Sequence, residues 1–162
     1  MHALTKMCAI AAAIAATAPN AVADEVAKYA CQIVGQPGPP ELVGDRDGHS
    51  ISIASSACRV EGGPLDGGLL TAQSIWEWDK TTGTLVSGSG VVRKVGATAV
   101  YQYTEGKLTI TVADGKVTGF TGAGKGRWPV AGGGAASLAG KSFSWASKST
   151  GAGVFETVLT AD

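Results

Sequence analysis

Three short runs of alternating apolar and polar residues follow one another between residues 100 and 120. Alternation with a period of two is typical of a β-strand that has one buried and one exposed face. The dipeptides Glu105-Gly106 and Asp114-Gly115 separate the runs, and such pairs favour the two-residue type I′ turns of β-hairpins. The stretch therefore predicts a three-stranded antiparallel meander.

The two faces of this meander follow from counting residues on either side of the two turns. The face predicted to cover a core or cavity is largely apolar and carries Tyr101, Tyr103, Leu108, Ile110, Val112 and Val117. The opposite face carries Gln102, Thr104, Lys107, Thr109, Thr111, Lys116, Thr118 and Phe120. One dry and one largely wet face is the pattern of an antiparallel sheet around a buried interior.

The alternation continues into two upstream strands, 69–79 and 84–94. A four-residue loop between them pairs Trp78 with Leu85, and the next turn pairs Gly90 with Tyr101. This register places five residues on the face of the two tyrosines: Gln73, Ile75, Glu77, Val86 and Val92. It places five others on the opposite face: Trp76, Trp78, Leu85, Val91 and Arg93. A β-bulge near Gly88 or Gly90 would exchange the two sets.

The whole chain after the N-terminal segment has strand-like composition and lacks sustained helical periodicity. Further strands are predicted at 24–34, 49–60, 141–148 and 154–160, and a Gly- and Ala-rich section with one strand end and a broad loop is predicted at 121–140. Eight or nine strands joined in sequence predict an all-β fold, a small antiparallel up-and-down β-barrel in which no strand edge is left unpaired. A flattened sandwich is the alternative.

The first 23 residues have the features of a secretory signal peptide. Lys6 supplies the positive charge, an apolar run extends from Cys8 to Ala18, and small residues precede a cleavage site after Ala23. The apolar run is too short to span a bilayer, so no membrane span is predicted. We expect a single mature domain at 24–162 that is exported to the periplasm or the extracellular space.

Two cysteines, Cys31 and Cys58, follow the predicted cleavage site. An even pair in an exported protein favours a disulfide. Such a bond is expected to stabilise the fold by roughly 3–4 kcal/mol through loop closure. Two buried free thiols are the alternative.

The charge pattern argues against several classes of partner. Thirteen basic and 13 acidic residues balance along the chain, and the absence of a basic patch argues against nucleic acid. The segment 44–49, GDRDGH, contains His49 and two acids but too few ligands for a calcium loop or a zinc site. The sequence therefore predicts no metal and no cofactor.

Glu77 is the candidate catalytic residue. A carboxyl group on the inward face of an apolar barrel, beside Gln73, Tyr101 and Tyr103, would have a pKa raised by desolvation and could act as a general acid or base. In the alternative interpretation, Glu77 is solvated outside the barrel.

Trp76 and Trp78 lie two residues apart and therefore share one face of their strand. If both indoles point outward, this large apolar area predicts a subunit interface and a homo-oligomer. If both point inward, they form core or pocket walls.

The glycine pattern at 124–143, with GKGRW at 124–128 and GGAASLAGKSF at 133–143, resembles the Gly-rich late segment of the allene oxide cyclase and dirigent-like barrel group. The resemblance implies an eight-stranded barrel with a lined cavity, often trimeric, that acts on small hydrophobic molecules. No catalytic residue of that group can be matched to a position of this chain.

Three functions are consistent with these predictions. The first is binding of a small hydrophobic molecule at a site lined by Gln73, Ile75, Tyr101, Tyr103 and Ile110. The second is a cyclase- or isomerase-type enzyme that uses the same cavity and Glu77. The third is a structural or interaction module with a filled core.

Overall fold

The computed structural model describes residues 25–35 and 40–162. Within them the strands are β1 (Glu25–Ile33), β2 (Glu41–Leu42), β3 (His49–Glu61), β4 (Leu69–Asp79), β5 (Thr82–Lys94), β6 (Ala97–Ala113), β7 (Lys116–Gly133), β8 (Ser142–Gly151) and β9 (Val154–Ala161). One 3-10 helix spans Ala136–Leu138. The predicted signal peptide and residues 36–39 of the proline-containing loop lie outside the described residues.

The strands form one closed antiparallel sheet. From β3 to β9 each strand pairs with the next in the chain, and β9 pairs with β1. The barrel closes because β1 also pairs with β3, along Lys28 to Ile33 of β1. The two-residue strand β2 lies beside the other end of β3. The predicted all-β fold with a closed eight-stranded barrel is confirmed.

A disulfide joins the two strands at the seam where the barrel closes. Cys31 of β1 and Cys58 of β3 are directly opposite each other in the register, and their sulfur atoms are bonded. Both side chains are buried, with 4% and 5% of their surface exposed. The predicted Cys31–Cys58 bond is confirmed.

Strand β6 is a single strand, so the predicted turn at Glu105-Gly106 is wrong. Gly106 faces the barrel interior, where a Cβ atom would lie 2.6 Å from the indole of Trp145. The glycine therefore makes room for a ring and does not form a turn. The second predicted turn is present at Asp114-Gly115, where both residues have positive φ angles, 52° and 71°.

A β-bulge in β6 explains why most of its predicted faces are nevertheless found. Tyr103 pairs with Gly126 and Glu105 with Lys125, which leaves Thr104 as an additional residue. The bulge shifts the alternation by one position, so Tyr103 and the later residues Leu108 and Ile110 all point inward. Phe120 departs from the prediction, because it pairs with Ile110 and lines the interior. Val112 and Val117, which pair with each other at the end of this hairpin, are 48% and 67% exposed.

The predicted faces of β4 are wrong, because a β-bulge in β5 exchanges them. The loop before β5 also has two residues and not four, but a difference of two residues leaves the alternation unchanged. Asp79 pairs with Thr82, and Lys80 turns the chain with a φ of 55°. The bulge leaves Val86 as an additional residue of β5 and turns Trp76 and its partner Leu85 inward. It places three residues predicted to face the interior on the outer side of the strand: Gln73, Ile75 and Glu77.

The bulge in β5 lies close to Gly88, one of the two positions at which the sequence allowed a bulge that would exchange the faces. Ile75 pairs with Ser87 while Trp76 pairs with Leu85, so Val86 is the additional residue and is 59% exposed. Gly90 then pairs with Tyr101, as predicted. Bulges of this kind are the reason why strand alternation alone does not determine which face is inward.

Strand β7 continues through most of the section predicted to be a loop. Gly124 and Gly126 point into the barrel, where a Cβ atom would meet the rings of Trp145 and Phe143 respectively. Large rings on β8 therefore cross the interior above glycines on β7. Glycine is therefore needed at every second position, Gly124 and Gly126, because a larger side chain there would overlap a ring of β8.

The two ends of the barrel are filled differently. At the end that contains the connections 62–68, 95–96 and 134–141, large side chains fill the interior; we call this the packed half. Its fully or almost fully buried residues are Val60, Leu65, Leu70, Val92, Tyr101, Trp128, Leu138 and Phe143. Leu65 and Leu138 come from the connections and cover this end.

The other end, with the turns 80–81, 114–115 and 152–153, is the hollow half. Its inward residues on β3 and β4 are mostly small: Ser50, Ser52, Ala54, Ser56, Ala72 and Ser74. Since these side chains do not reach the barrel axis, they leave space that the packed half does not have.

Candidate functional site

The hollow half contains a cavity of about 540 Å³. This volume lies within the range of about 300–1,000 Å³ that is usual for small-molecule sites. Pro40 and Lys80 line it near the end of the barrel, and Tyr101 and Cys58 line its inner part. The cavity therefore extends from the open end down to the packed half.

Aromatic rings form much of the cavity wall. Trp76 and Trp78 lie on β4 with ring centroids 6.4 Å apart, and Phe120 and Phe155 lie 5.5 Å apart on β7 and β9. Leu108 and other aliphatic side chains complete these walls. The cavity is accordingly suited to apolar groups, with ring faces available for stacking.

Serine hydroxyl groups hold the two indoles in place. The Nε1–H of Trp78 donates a hydrogen bond of 2.7 Å to Oγ of Ser52, and the Nε1–H of Trp76 donates one of 2.8 Å to Oγ of Ser74. Both serines line the cavity. Because each indole N–H is satisfied, the rings present their apolar surfaces to the space.

Three tyrosines lie where the cavity meets the packed half. Tyr101 and Tyr103 have ring centroids 4.8 Å apart, and Tyr29 lines the same region from β1. Desolvation by burial raises the pKa of all three hydroxyl groups above its ordinary value. These phenols are therefore neutral at physiological pH.

The ligand-binding residues predicted from the sequence are only partly brought together. Tyr101, Tyr103 and Ile110 line the cavity, and Gln73 borders it although its side chain is exposed. Ile75 does not line the cavity and lies on the outer side of β4. The serines of β3 and β4 that line the cavity were not predicted from the sequence. For β3 the signal was the small residue at every second position of HSISIASS, at positions 49–56.

Glu77 belongs to a charged cluster on the outside of the barrel. Its Oε1 lies 2.8 Å from Nε2 of His49, and Nδ1 of His49 contacts a carboxylate oxygen of Asp45. Arg46 lies 3.8 Å from the carboxylates of both Glu77 and Asp79. The expected inward position of Glu77 is wrong, because the bulge at Val86 of β5 turns the two tryptophans inward instead.

The charges of the cluster affect its histidine. The hydrogen bond that His49 donates to Asp45, together with that donated to Glu77, raises the pKa of His49 above its ordinary value of 6.5. The same contact with His49 lowers the pKa of Asp45. The cluster therefore ties the loop 44–48 to β4 through the imidazole of His49.

Trp76 and Trp78 also fall on the face opposite to the predicted one. Trp76 is 5% exposed, and both indoles line the cavity. A homo-oligomer formed through these two rings is therefore not supported.

Within residues 25–35 and 40–162, no group of three or more His, Cys, Asp or Glu side chains is arranged to hold a metal ion. In the same part of the chain, no helix has the length and apolar character required to cross a membrane.

The fold and the cavity define a closed eight-stranded antiparallel β-barrel with an apolar internal site. No protein-family model, no curated protein and no solved structure matches the chain. The resemblance of residues 124–143 to the allene oxide cyclase and dirigent-like group therefore stays a prediction.

Proposed function

We propose that the protein binds a small hydrophobic molecule in the cavity of the hollow half. The observation that carries this proposal is an apolar space of about 540 Å³ inside a barrel whose other half is closely filled. Concave, mostly apolar sites with a few polar groups are typical of small-molecule binding.

The cavity is kept open by specific residues. Ala54 and Ala72 lie on the inner faces of the neighbouring strands β3 and β4. In the packed half the same faces carry the larger residues Val60 and Leu70. Larger apolar residues at these two positions would fill the space and gain the stability of a continuous core. The small residues thus favour a binding role over a filled structural module.

The lining favours binding over proton-transfer chemistry. Among the described residues that line the cavity there is no carboxylate and no imidazole; Lys80 is the single lysine or arginine, and Cys31 and Cys58 are bonded to each other. Glu77, the candidate acid–base residue, is outside. The carboxylate proposed as the acid–base group of a cyclase or isomerase is therefore absent from the described lining.

Export of the protein belongs to the same proposal. The buried disulfide is of the kind that persists in oxidising compartments, which supports the signal peptide predicted before Asp24. A periplasmic or extracellular carrier of a hydrophobic compound agrees with both features. It also agrees with the lined cavity implied by the resemblance of residues 124–143.

Binding of 1-ethylpyrene, a neutral hydrocarbon probe, tests the proposal. We expect saturable binding that quenches tryptophan fluorescence, because Trp76 and Trp78 line the cavity. The double variant Ala54→Leu/Ala72→Leu should lose at least about tenfold in affinity, since the added methyl groups occupy the site. Ala113→Leu, on an exposed position of β6, is the matched control and should bind normally.

Two results would contradict the proposal. One is the absence of saturable binding to the wild-type protein. The other is unchanged affinity in the Ala54→Leu/Ala72→Leu variant when circular dichroism shows that its barrel is intact.

A further inference from the structure

We infer that the bound molecule carries a neutral hydrogen-bond-accepting oxygen, such as a ketone carbonyl, that is held by the hydroxyl groups of Ser52 and Ser74. This inference rests on the proposed function, because it names the class of compound that the same cavity takes. It follows from counting the donors and acceptors of the two serines.

Each serine hydroxyl has one hydrogen to donate and two lone pairs to accept with. At Ser52 the indole N–H of Trp78 occupies a lone pair, and at Ser74 the indole N–H of Trp76 does the same. In neither case does the serine hydrogen take part in the bond. Among the described residues, no acceptor receives the hydrogen of either hydroxyl.

The two free hydrogens lie on the same part of the cavity wall. Ser52 pairs with Trp76 and Ala54 pairs with Ser74, so the two serines are diagonal neighbours on the inner face of β3 and β4. Diagonal neighbours in an antiparallel pair are roughly 7–8 Å apart, and their side chains come closer. Both hydroxyls therefore serve one region of a ligand.

A second pair of hydroxyls across the cavity also offers a donor. Ser147 and Thr157 are 2.6 Å apart and share one hydrogen bond, which uses only one of their two hydrogens. The hydroxyl groups of the cavity, including those of Ser52 and Ser74, therefore have free hydrogens to donate, while part of their capacity to accept is already used. A ligand with acceptor oxygens satisfies the free hydrogens of these hydroxyl groups, whereas a ligand with only donors leaves them unpaired.

The charges of the lining favour a neutral acceptor over an anion. Lys80, the single lysine or arginine among the described lining residues, comes from the β4–β5 turn at the end of the barrel, away from the inner serines. A carboxylate placed among the aromatic walls would lose its hydration without a compensating charge. A carbonyl oxygen loses much less and gains the serine hydrogen bonds.

Three pyrenes that differ at one substituent test the inference: 1-acetylpyrene, 1-ethylpyrene and pyrene-1-carboxylate. We expect 1-acetylpyrene to bind about tenfold more tightly than 1-ethylpyrene, the gain typical of one or two neutral hydrogen bonds. The preference should vanish in the Ser52→Ala/Ser74→Ala variant. Ser89→Ala, at an exposed position of β5, should keep it.

An infrared measurement on the wild-type protein makes the test independent of how the variants fold. The carbonyl stretch of bound 1-acetylpyrene, isolated by carbon-13 labelling, should lie below its frequency in hexane, because hydrogen bonds weaken the C=O bond. A bound carbonyl with the frequency found in hexane would overturn the inference.

The affinities separate this inference from the proposed function. Equal binding of 1-acetylpyrene and 1-ethylpyrene overturns the inference and leaves the proposed function standing. Tighter binding of pyrene-1-carboxylate also overturns it, in favour of an anion held by Lys80. If none of the three probes binds, both the inference and the proposed function fail.

Discussion

Nε2 of His49 lies 2.8 Å from Oε1 of Glu77, while Nδ1 of the same ring contacts Asp45. A carboxylate can only accept a hydrogen bond, so contacts with two of them favour the ring form that carries a hydrogen on both nitrogens, and they raise the pKa of His49. His49 therefore links the loop 44–48 to β4. Glu77 belongs to this link and not to the cavity.

Replacing Glu77 by Gln should lower the pKa of His49, because one of the two carboxylates that stabilise the charged ring is lost. The titration of the ring protons in NMR spectra measures this pKa directly. Binding of 1-ethylpyrene should not change, since Glu77 lies outside the barrel. Glu105→Gln, on the exposed face of β6, is the control and should leave the pKa of His49 unaltered. An unchanged titration in Glu77→Gln would contradict the link.

The raised pKa of His49 makes stability depend on pH in a defined direction. A group whose pKa is raised by folding stabilises the protein fully at pH values below its unfolded-state pKa of 6.5. This stabilisation is lost as the pH rises through the folded-state pKa. The melting temperature should therefore fall as pH increases above 6.5. Asp45, Arg46, Glu77 and Asp79 all face the ring or its partners, so the fall should be smaller in Glu77→Gln. A wild-type melting temperature that rises over this interval would refute the prediction.

Two glycines of β7 provide a matched test of the packing between rings and glycines. In Gly126→Ala the new methyl group would overlap the ring of Phe143, whereas at Gly132 it would meet no atom within 4 Å. We expect Gly126→Ala to lower the free energy of unfolding by about 1–3 kcal/mol, the usual effect of overpacking. Gly132→Ala should have little effect. Urea denaturation measures both, and equal stabilities of the two variants would disprove this role of Gly126.

The disulfide at the barrel seam gives a further prediction. The bond closes a loop between cysteines 27 positions apart, so Cys31→Ala/Cys58→Ala should lower the free energy of unfolding by roughly 3–4 kcal/mol. Reduction of the wild-type protein should produce a similar loss in urea denaturation. A reducing agent should have no further effect on the double variant. A double variant as stable as the oxidised protein would show that the strand pairing alone closes the barrel.

The class of fold could be predicted from the sequence because period-two alternation is a local property that each strand shows by itself. The pairing of Gly90 with Tyr101 and the Cys31–Cys58 bond were also predicted correctly. The first depends only on the short turn between β5 and β6, where few residues could shift the register. The second depends only on the number of cysteines that follow the predicted cleavage site.

The inward face of β4 could not be predicted, because alternation gives only the relative orientation of neighbouring residues. The orientation of the whole strand depended on the bulge at Val86, because one additional residue in β5 exchanges the two faces of β4. The loop at Lys80 is two residues shorter than predicted, and this even difference leaves the alternation unchanged. The bulge at Thr104 shifts the alternation of β6 in the same way as the bulge at Val86. Consequently Glu77 was expected inside and the two tryptophans outside.

The role of Gly106 was also beyond a local prediction. Glu105-Gly106 has the composition of a hairpin turn, yet its glycine is required by the ring of Trp145, which is 39 positions away in the chain. A glycine that makes room for a distant ring cannot be distinguished from a turn glycine until the strand order is known.

The division of the barrel into a packed half and a hollow half separates the residues that support the fold from those that shape the site. Substitutions at Ser50, Ala54 or Ser56 alter the hollow half without touching the aromatic contacts among Tyr101, Trp128 and Phe143. Recognition can thus diversify at one end while the other end keeps the molecule folded. The protein is on this account a natural scaffold for directed evolution of new binding specificities, with libraries confined to one rim of the barrel.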